Sequence, residues 1–538
     1  MRKIESLFIG VGLCAVVAVI GGALFVHTTK PTETKTTAFP TTQYGAFLAA
    51  QHAIYVNDFE NAALFSNQLT KTEYTTVQNT KFLSEFLSGK MPQDAKLLKD
   101  EKGPAARIIY DAHLVSQDEW KAFHNRHKTD KSALSAPFRI WSAIANDWRT
   151  NTFKFIEKLP TNDSWKSFIR GQIYAEMGDI DKANIEFAKV HPDFMNINDY
   201  LYLMSFYNHF ELFEDARILH DDFVARPGGM FLADFDEYPK WEMFSGYKNQ
   251  LAFSLIQSVS HTQIMMYSDL AMLFLRFAEV TAPDFSKNND AINYYLGQYF
   301  YTNTGDYVAH FDKISQSSPF KLFAELRIAE RSGDISRLTK ILDDNPLFVP
   351  AINTVVAKSV KNGDKRAALR VINRALKSDN IGDLGRAFFM KMRAQVNYVF
   401  GDLDDAQSDL HAASDILGAD GDILSLQAKI WAAQNREIEN AYEYAMTMVR
   451  QNPSDVFAWD TLGRVVATRE GADAALELLT RVGEVSNTCS SLFEIMGDLY
   501  KQLDDCDNAR KAYKRAIELS DDGLVVVPKI ERKIRKLQ

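Results

Sequence analysis

From residue 44 onwards, apolar positions recur at three- and four-residue spacing, the period of amphipathic helices. Strand patterning is scarce, since "GLVVVP" at 523–528 is short and ends at a proline. The pattern therefore predicts an all-α chain. Within it, small residues fall at a repeating interval. "WDTLGRVVATREGADAALELL", residues 459–479, places Gly463 and Ala475 twelve apart, with Trp459 four before the glycine and Leu479 four after the alanine.

The interval recurs. Gly497 and Ala509 repeat it, with Tyr500, Tyr513 and Ala516 at matching offsets. So do Gly171 and Ala183 with Tyr174 and Phe187, Gly297 and Ala309 with Phe300, and Ala394 and Ala406 with Leu410. This is the spacing of a helical hairpin. A first helix carries the glycine, a turn such as Gly178-Asp179, Gly305-Asp306 or Gly401-Asp402 follows, and a second helix carries the alanine. Small residues let the helices approach where they cross, and aromatics and leucines fill the space around them. One such hairpin cannot bury its apolar faces alone, so neighbours must stack. Weaker units are expected at Ala50/Ala62, Tyr207/Ala216 and Ser359/Ala368. Residues 70–160 and 228–290 show no register.

Trp459, Leu462, Gly463, Ala475 and Leu479, followed by Gly497, Tyr500, Ala509 and Tyr513, resemble the tetratricopeptide repeat signature. Pro453 matches its closing proline, and the two units are offset by 34 residues. The resemblance implies an α-α hairpin repeat solenoid coiled as a right-handed superhelix. Degenerate repeats are expected over 44–290 and better-formed ones over 291–520. "PKIERKIRKLQ" puts Ile530, Ile534 and Leu537 on one helix face and five cations around the rest. Residues 521–538 thus read as a capping helix that solvates the end of the array. The other reading is a basic contact for anionic lipid or an acidic partner.

The N-terminus differs from all this. Leu7 to Val26 is an uncharged apolar run long enough to cross a ~30 Å hydrocarbon core as a helix. Arg2 and Lys3 favour a cytoplasmic N-terminus. Residues 1–27 thus read as a transmembrane anchor and 28–43, rich in Thr with Pro31 and Pro40, as a solvated tether. The alternative is a signal peptide cleaved after Gly21 and Ala23, although the apolar run continues through Val26. Cys14 is not a lipoprotein site, because Leu13 replaces the small residue such sites require. In either reading the bulk of the chain is exported.

Composition narrows the function. With 46% apolar and 24% charged residues the chain can bury a core, and its net charge of −9 argues against a nucleic-acid surface. Catalytic or metal-binding constellations are not evident. "HNRH" brings His124 and His127 three apart but lacks further ligands, and reads as a cation-rich helix face. "GADGD" lacks the ligands of a calcium loop and reads as a turn, and "SGKMP" lacks a phosphate-binding glycine loop. Cys489 and Cys506 flank one helix, about 20 Å apart at 1.5 Å per residue, too far for a disulfide. No cofactor, metal or small-molecule substrate is expected.

A stacked array leaves a concave face lined by first helices, suited to protein or peptide partners. The register turns Trp165, Phe168 and Gln172 towards it, then Tyr294, Tyr295, Gln298 and Tyr301, and finally Phe457, Asp460 and Arg464. The resemblance includes adaptors that grip a carboxylate with Lys and Asn at such places. Phe168, Gln172, Asp460, Arg464, Glu494 and Asp498 stand there instead, so that role is not implied. The chain is closer to bacterial envelope proteins with an anchor and repeats, although it lacks the cysteine knuckle of one group and the second span of another. The expectation is a non-catalytic scaffold in the bacterial inner membrane, with its repeats in the periplasm. The alternatives are a cleaved periplasmic or secreted protein that binds peptides or glycan-associated substrates, and a eukaryotic organelle receptor with cytosolic repeats.

Overall fold

The computed structural model describes residues 42–69, 75–132, 134–233, 241–261, 269–303, 305–333, 335–418, 420–485 and 488–537. The apolar run Leu7–Val26, most of the tether and Cys14 lie outside the described residues. Among those described there is no strand, and no helix is long and apolar enough to cross a membrane. The chain divides into two compact units, one of Met1–Ala216 with Lys240–Ala324, the other of Arg217–Pro239 with Glu325–Gln538.

The first unit opens with α1 (Gln43–Tyr55), α2 (Phe59–Ser66) and α3 (Thr75–Leu87). Three hairpins follow: α4 (Pro104–Ser116) with α5 (Trp120–His127), α6 (Ala136–Ala145) with α7 (Arg149–Glu157), and α8 (Asp163–Glu176) with α9 (Ile180–Phe187). After them come α10 (Ile197–His209) and α11 (Phe213–Val224), which begins in this unit and runs past its boundary at Ala216. Then come α12 (Tyr247–His261), α13 (Asp269–Thr281), α14 (Pro283–Lys287), α15 (Asp290–Thr302) and α16 (Val308–Phe311). A single backbone register runs through the hairpins. Seven residues after the first crossing position comes a residue with positive φ, and five later comes the second crossing position. Ala50, Asn57 and Ala62 hold these places in α1–α2, and Gly171, Gly178 and Ala183 in α8–α9.

The turn needs a left-handed residue, which glycine, asparagine and aspartate adopt most readily. Asn57 has φ 59° and Gly178 φ 75°. An aspartate follows, Asp58 or Asp179, and its carboxylate accepts the backbone N–H three residues on, capping the second helix. The same register supplies the hairpins that the pattern of small residues leaves unassigned in 70–160. Asp111, Asp118 and Phe123 occupy it in α4–α5, and Ile140, Asp147 and Thr152 in α6–α7. Sixteen residues beyond the first crossing position sits the side chain packed on it. A Cβ on Gly171 would overlap the Phe187 ring, and in α4–α5 the equivalent pair is Asp111 and His127, hydrogen-bonded at 3.0 Å.

One unit departs from expectation. Ala309, twelve after Gly297, is exposed, and Phe311 packs on the glycine instead. The second element there is a single turn, so only its last residue reaches the crossing. Between residues 228 and 290 the absence of a register also has a physical cause. In α13 every residue from Ala271 to Ala278 is buried, and in α12 every residue from Gln250 to Gln257. Such helices are enclosed on all sides and carry no amphipathic stripe. Helices α4, α6, α10 and α15 pack around the pair.

The second unit stacks α18 (Ile335–Asp344), preceded by α17 (Pro319–Ser332), α19 (Val349–Asn362) with α20 (Lys365–Ala375), α21 (Asp383–Phe400) with α22 (Leu403–Leu417), and α23 (Gly421–Gln434) with α24 (Ile438–Gln451). After these come α25 (Val456–Arg469) with α26 (Ala472–Val485), α27 (Ser490–Gln502) with α28 (Cys506–Glu518), and α29 (Val527–Arg535). Gly463 lies on Leu479 and Gly497 on Tyr513, as the spacing predicts. Ala394, Ala406, Leu410 and Ala413 share one core cluster. At the end of the chain Ile530 is fully buried and Leu537 nearly so. The segment leading to α29 also reaches α19, where Lys361 pairs with Asp521 at 2.6 Å.

Candidate functional site

The inner surface of the first unit is built from first helices, but it is covered. Helix α12 carries a polar stripe, Gln250, Ser254, Gln257 and His261, at helical spacing along one face. Three successive first helices bond to it. Trp141 of α6 donates its indole N–H to Ser254 Oγ at 2.8 Å. Gln172 and Glu176 of α8 meet Gln250 at 3.5 and 3.4 Å. Asp199 of α10 accepts from Gln257 Nε2 at 2.7 Å and contacts His261 Nε2 at 2.6 Å. The face expected to receive a partner thus holds a helix of its own chain. Burial would lower the His261 pKa, but the Asp199 carboxylate outweighs it and holds it above the ordinary histidine value.

The candidate residues of α8 are corrected accordingly. Gln172 is completely buried, and Phe168 stands among Phe187, Tyr202 and Phe253, its ring 5.4 Å from that of Tyr202. Trp165 stays half-buried and, with Phe168, Asp199, Gln257 and His261, lines a cavity of about 290 Å³. Tyr294, Tyr295 and Gln298 are likewise buried rather than presented to solvent. Tyr295 Oη accepts from Asn198 Nδ2 at 2.7 Å, one residue from Asp199, and Tyr294 packs against Phe311 and Phe320. Tyr301 is half-buried, edge-on to Tyr307. The register carries no information about what packs onto a helix face.

In the second unit the inner residues are tied to one another. Asp460 has no exposed surface and accepts from Lys429 Nζ at 2.8 Å, Arg464 Nε at 3.2 Å and Ser491 Oγ at 3.0 Å. Arg464 also donates to the Ser491 carbonyl at 2.9 Å. Further along, Lys533 of α29 bridges Glu494 at 2.8 Å and Asp498 at 2.7 Å. Asp460 and Arg464 were expected to turn outward. They are instead a structural ion-pair network joining α23, α25 and α27. Phe457, 45% exposed, is the candidate in this unit that faces solvent.

The other sequence features resolve into structure. His124 Nδ1 bonds Ser142 Oγ at 3.0 Å, while His127 and Arg126 both engage Asp111. The two histidines are thus turned to different partners. Asp420 caps α23 and, with Asp422, pairs with Lys391. Cys489 is buried and Cys506 partly exposed, and the two are not joined by a disulfide. Among the described residues, no three His, Cys, Asp or Glu side chains are grouped to hold a metal ion.

Consecutive hairpins, several of them crossing at small residues such as Gly171, Gly463 and Gly497 and turning through a left-handed residue, define a helical-repeat architecture. The sequence model of the tetratricopeptide repeat family matches residues 491–522, which span the α27–α28 hairpin. The chain therefore carries a tetratricopeptide repeat at its α27–α28 hairpin. No curated protein matches it. Among solved structures it is similar to a tetratricopeptide repeat protein from Parabacteroides merdae, with 12% identity over 54% of this chain and 99% of that one and a TM-score of 0.32. It is similar also to yeast Tom70, with 10% identity, 92% and 96% coverage and a TM-score of 0.31. A third is the APC/C hetero-tetramer Cut9–Hcn1, with 12% identity, 90% and 96% coverage and a TM-score of 0.31.

Proposed function

We propose that this protein is a non-catalytic scaffold that binds protein partners, held at the bacterial inner membrane by Leu7–Val26 with its repeats in the periplasm. The observation that carries the reading is the repeated hairpin register ending in a tetratricopeptide unit at 491–522. Stacked hairpins of this kind expose long helical surfaces to partners. The uncharged run behind Arg2 and Lys3 supports the anchor. Partner contacts fall on surfaces left open by the internal packing, beginning with Phe457 and Trp165. Large exposed aromatics are effective interface anchors.

Two measurements test this. Fractionation with mass determination of the mature N-terminus is expected to find the intact chain in the inner membrane. Loss of residues 1–23, with soluble periplasmic protein, would replace the anchor with a cleaved signal. A photo-crosslinking residue at position 457 is expected to trap a discrete protein adduct in cells. If neither 457 nor 165 yields one, the scaffold reading fails.

A further inference from the structure

On the face of α6 opposite α12 lies a cavity of about 590 Å³. Arg139 lines it two residues from Trp141, close to half a helical turn away, so it lies on the outer side of the hairpins. Helix α5 adds His124 and α7 adds Lys154, Lys158 follows directly on the end of α7, and Lys131 lies at the rim. None of the lining residues is a carboxylate. This is a concentrated positive site on a chain whose net charge is −9.

Nearby carboxylates neutralise it only in part. Glu157 pairs with Arg170 at 2.5 Å and Asp147 with Arg149 at 2.7 Å. Burial lowers the Arg139 pKa and the Asp130 charge offsets only part of that; the Asp130 carbonyl accepts from Arg139 Nη1 at 2.8 Å, and its carboxylate accepts from the Ser132 backbone N–H. Lys131, Lys154 and Lys158 make no ion pair among the described residues. The Arg139 guanidinium lies 3.8 Å above the Phe155 ring, which holds it in place. Trp148, 41% exposed, supplies a broad apolar wall beside it.

We propose that this cavity docks an acidic, extended peptide segment of a partner protein, its carboxylates on Arg139, Lys154 and Lys158 and an apolar side chain on Trp148. The choice of a peptide rests on the scaffold reading. It also follows from the donors: a compact phosphate needs several fixed donors converging on one point, whereas here one guanidinium is fixed and the lysines are spread along an exposed rim. Separated charges around an apolar wall match separated carboxylates around an apolar residue.

The test uses the full chain in a mild detergent and a fluorescein-labelled peptide of glutamates flanking one phenylalanine, read by anisotropy. A peptide with glutamines in place of the glutamates is expected to bind at least about tenfold more weakly. The double variant Lys154→Glu/Lys158→Glu is expected to lose about tenfold or more, while Lys529→Glu/Lys536→Glu, also exposed, changes affinity less than about twofold. Equal affinity for both peptides, or equal loss in both double variants, overturns the proposal. Stronger competition by pyrophosphate than by unlabelled peptide also overturns it, assigning the cavity to a small anion. These outcomes leave the scaffold reading standing, since that falls only with the crosslinking result at 457 and 165.

Discussion

The Asp460 carboxylate lies 2.8 Å from Lys429 Nζ with neither residue open to solvent beyond a tenth of its surface. Burial alone would raise the Asp460 pKa, but Arg464 and then Lys429 outweigh it and hold the group ionised. Removing the carboxylate leaves two cations facing each other in the core. Asp460→Ala is therefore expected to destabilise the fold by about 3–5 kcal/mol. The apolar pair Asp460→Leu/Lys429→Met should recover part of that loss, because it removes a buried charge together with its partner. Urea unfolding followed by circular dichroism measures both, and a single variant as stable as the parent would mean that the network is solvated.

The crossing glycines make a second expectation. A Cβ on Gly497 would stand 2.5 Å from the Tyr513 ring, whose hydroxyl is held by Asp498 at 2.6 Å. The ring cannot retreat without breaking that bond. Gly497→Val is expected to cost about 1–3 kcal/mol or more through overpacking. Gly228, with open space around its Cβ position, should accept alanine within about 0.5 kcal/mol. Thermal denaturation of the two variants distinguishes a close approach from a general intolerance of glycine replacement.

The same geometry explains what the sequence reveals and what it conceals. Where the crossing position holds Gly171, Gly463 or Gly497, its small size marks the hairpin, and the partners Phe187, Leu479 and Tyr513 stand where the spacing places them. In α4–α5 and α6–α7 the position holds Asp111 and Ile140, which look like neither glycine nor alanine. The readable signal there is the turn, since Asp118 and Asp147 take the left-handed place that Gly178 takes elsewhere. Burial by distant parts of the chain leaves no periodic trace. Nothing local to Gln172 or Asp199 announces that α12, some sixty to eighty residues on, will cover them. The cationic cavity escapes for a similar reason: Arg139 and Lys158 are unremarkable until α6 and α7 bring them to one opening.

Two histidines of the first unit should respond to pH with opposite sign. His261, raised above 6.5 by Asp199, contributes stability that is fully present below 6.5 and is lost as pH climbs through its folded value. Burial first, and then the Arg276 charge, push His310 down to about 3. Its neutral ring lies parallel to Phe300 at 5.0 Å. The unfolded chain binds that proton more readily, so stability is lost as pH falls from 6.5 towards 3. His261→Gln should therefore flatten the alkaline side of the stability profile, and His310→Phe the acid side. Melting temperatures across the pH range decide the matter, and a single variant that alters both limbs equally would contradict the assignment.

The two thiols of the second unit should differ in reactivity. Cys489 is fully buried ahead of α27, and burial, with the nearby Asp460 charge, pushes its thiol up to about 12. The thiolate is the reactive form, so both access and ionisation protect it. Cys506, at the start of α28, is partly exposed. Iodoacetamide added to the native full chain should label Cys506 at least about tenfold faster than Cys489. Peptide mapping by mass spectrometry reads the two sites separately. Because Cys489 neighbours the Asp460 network, Asp460→Ala should speed its labelling while leaving Cys506 unchanged. Labelling of Cys489 at the Cys506 rate in the parent chain would show that this end of the second unit opens to solvent.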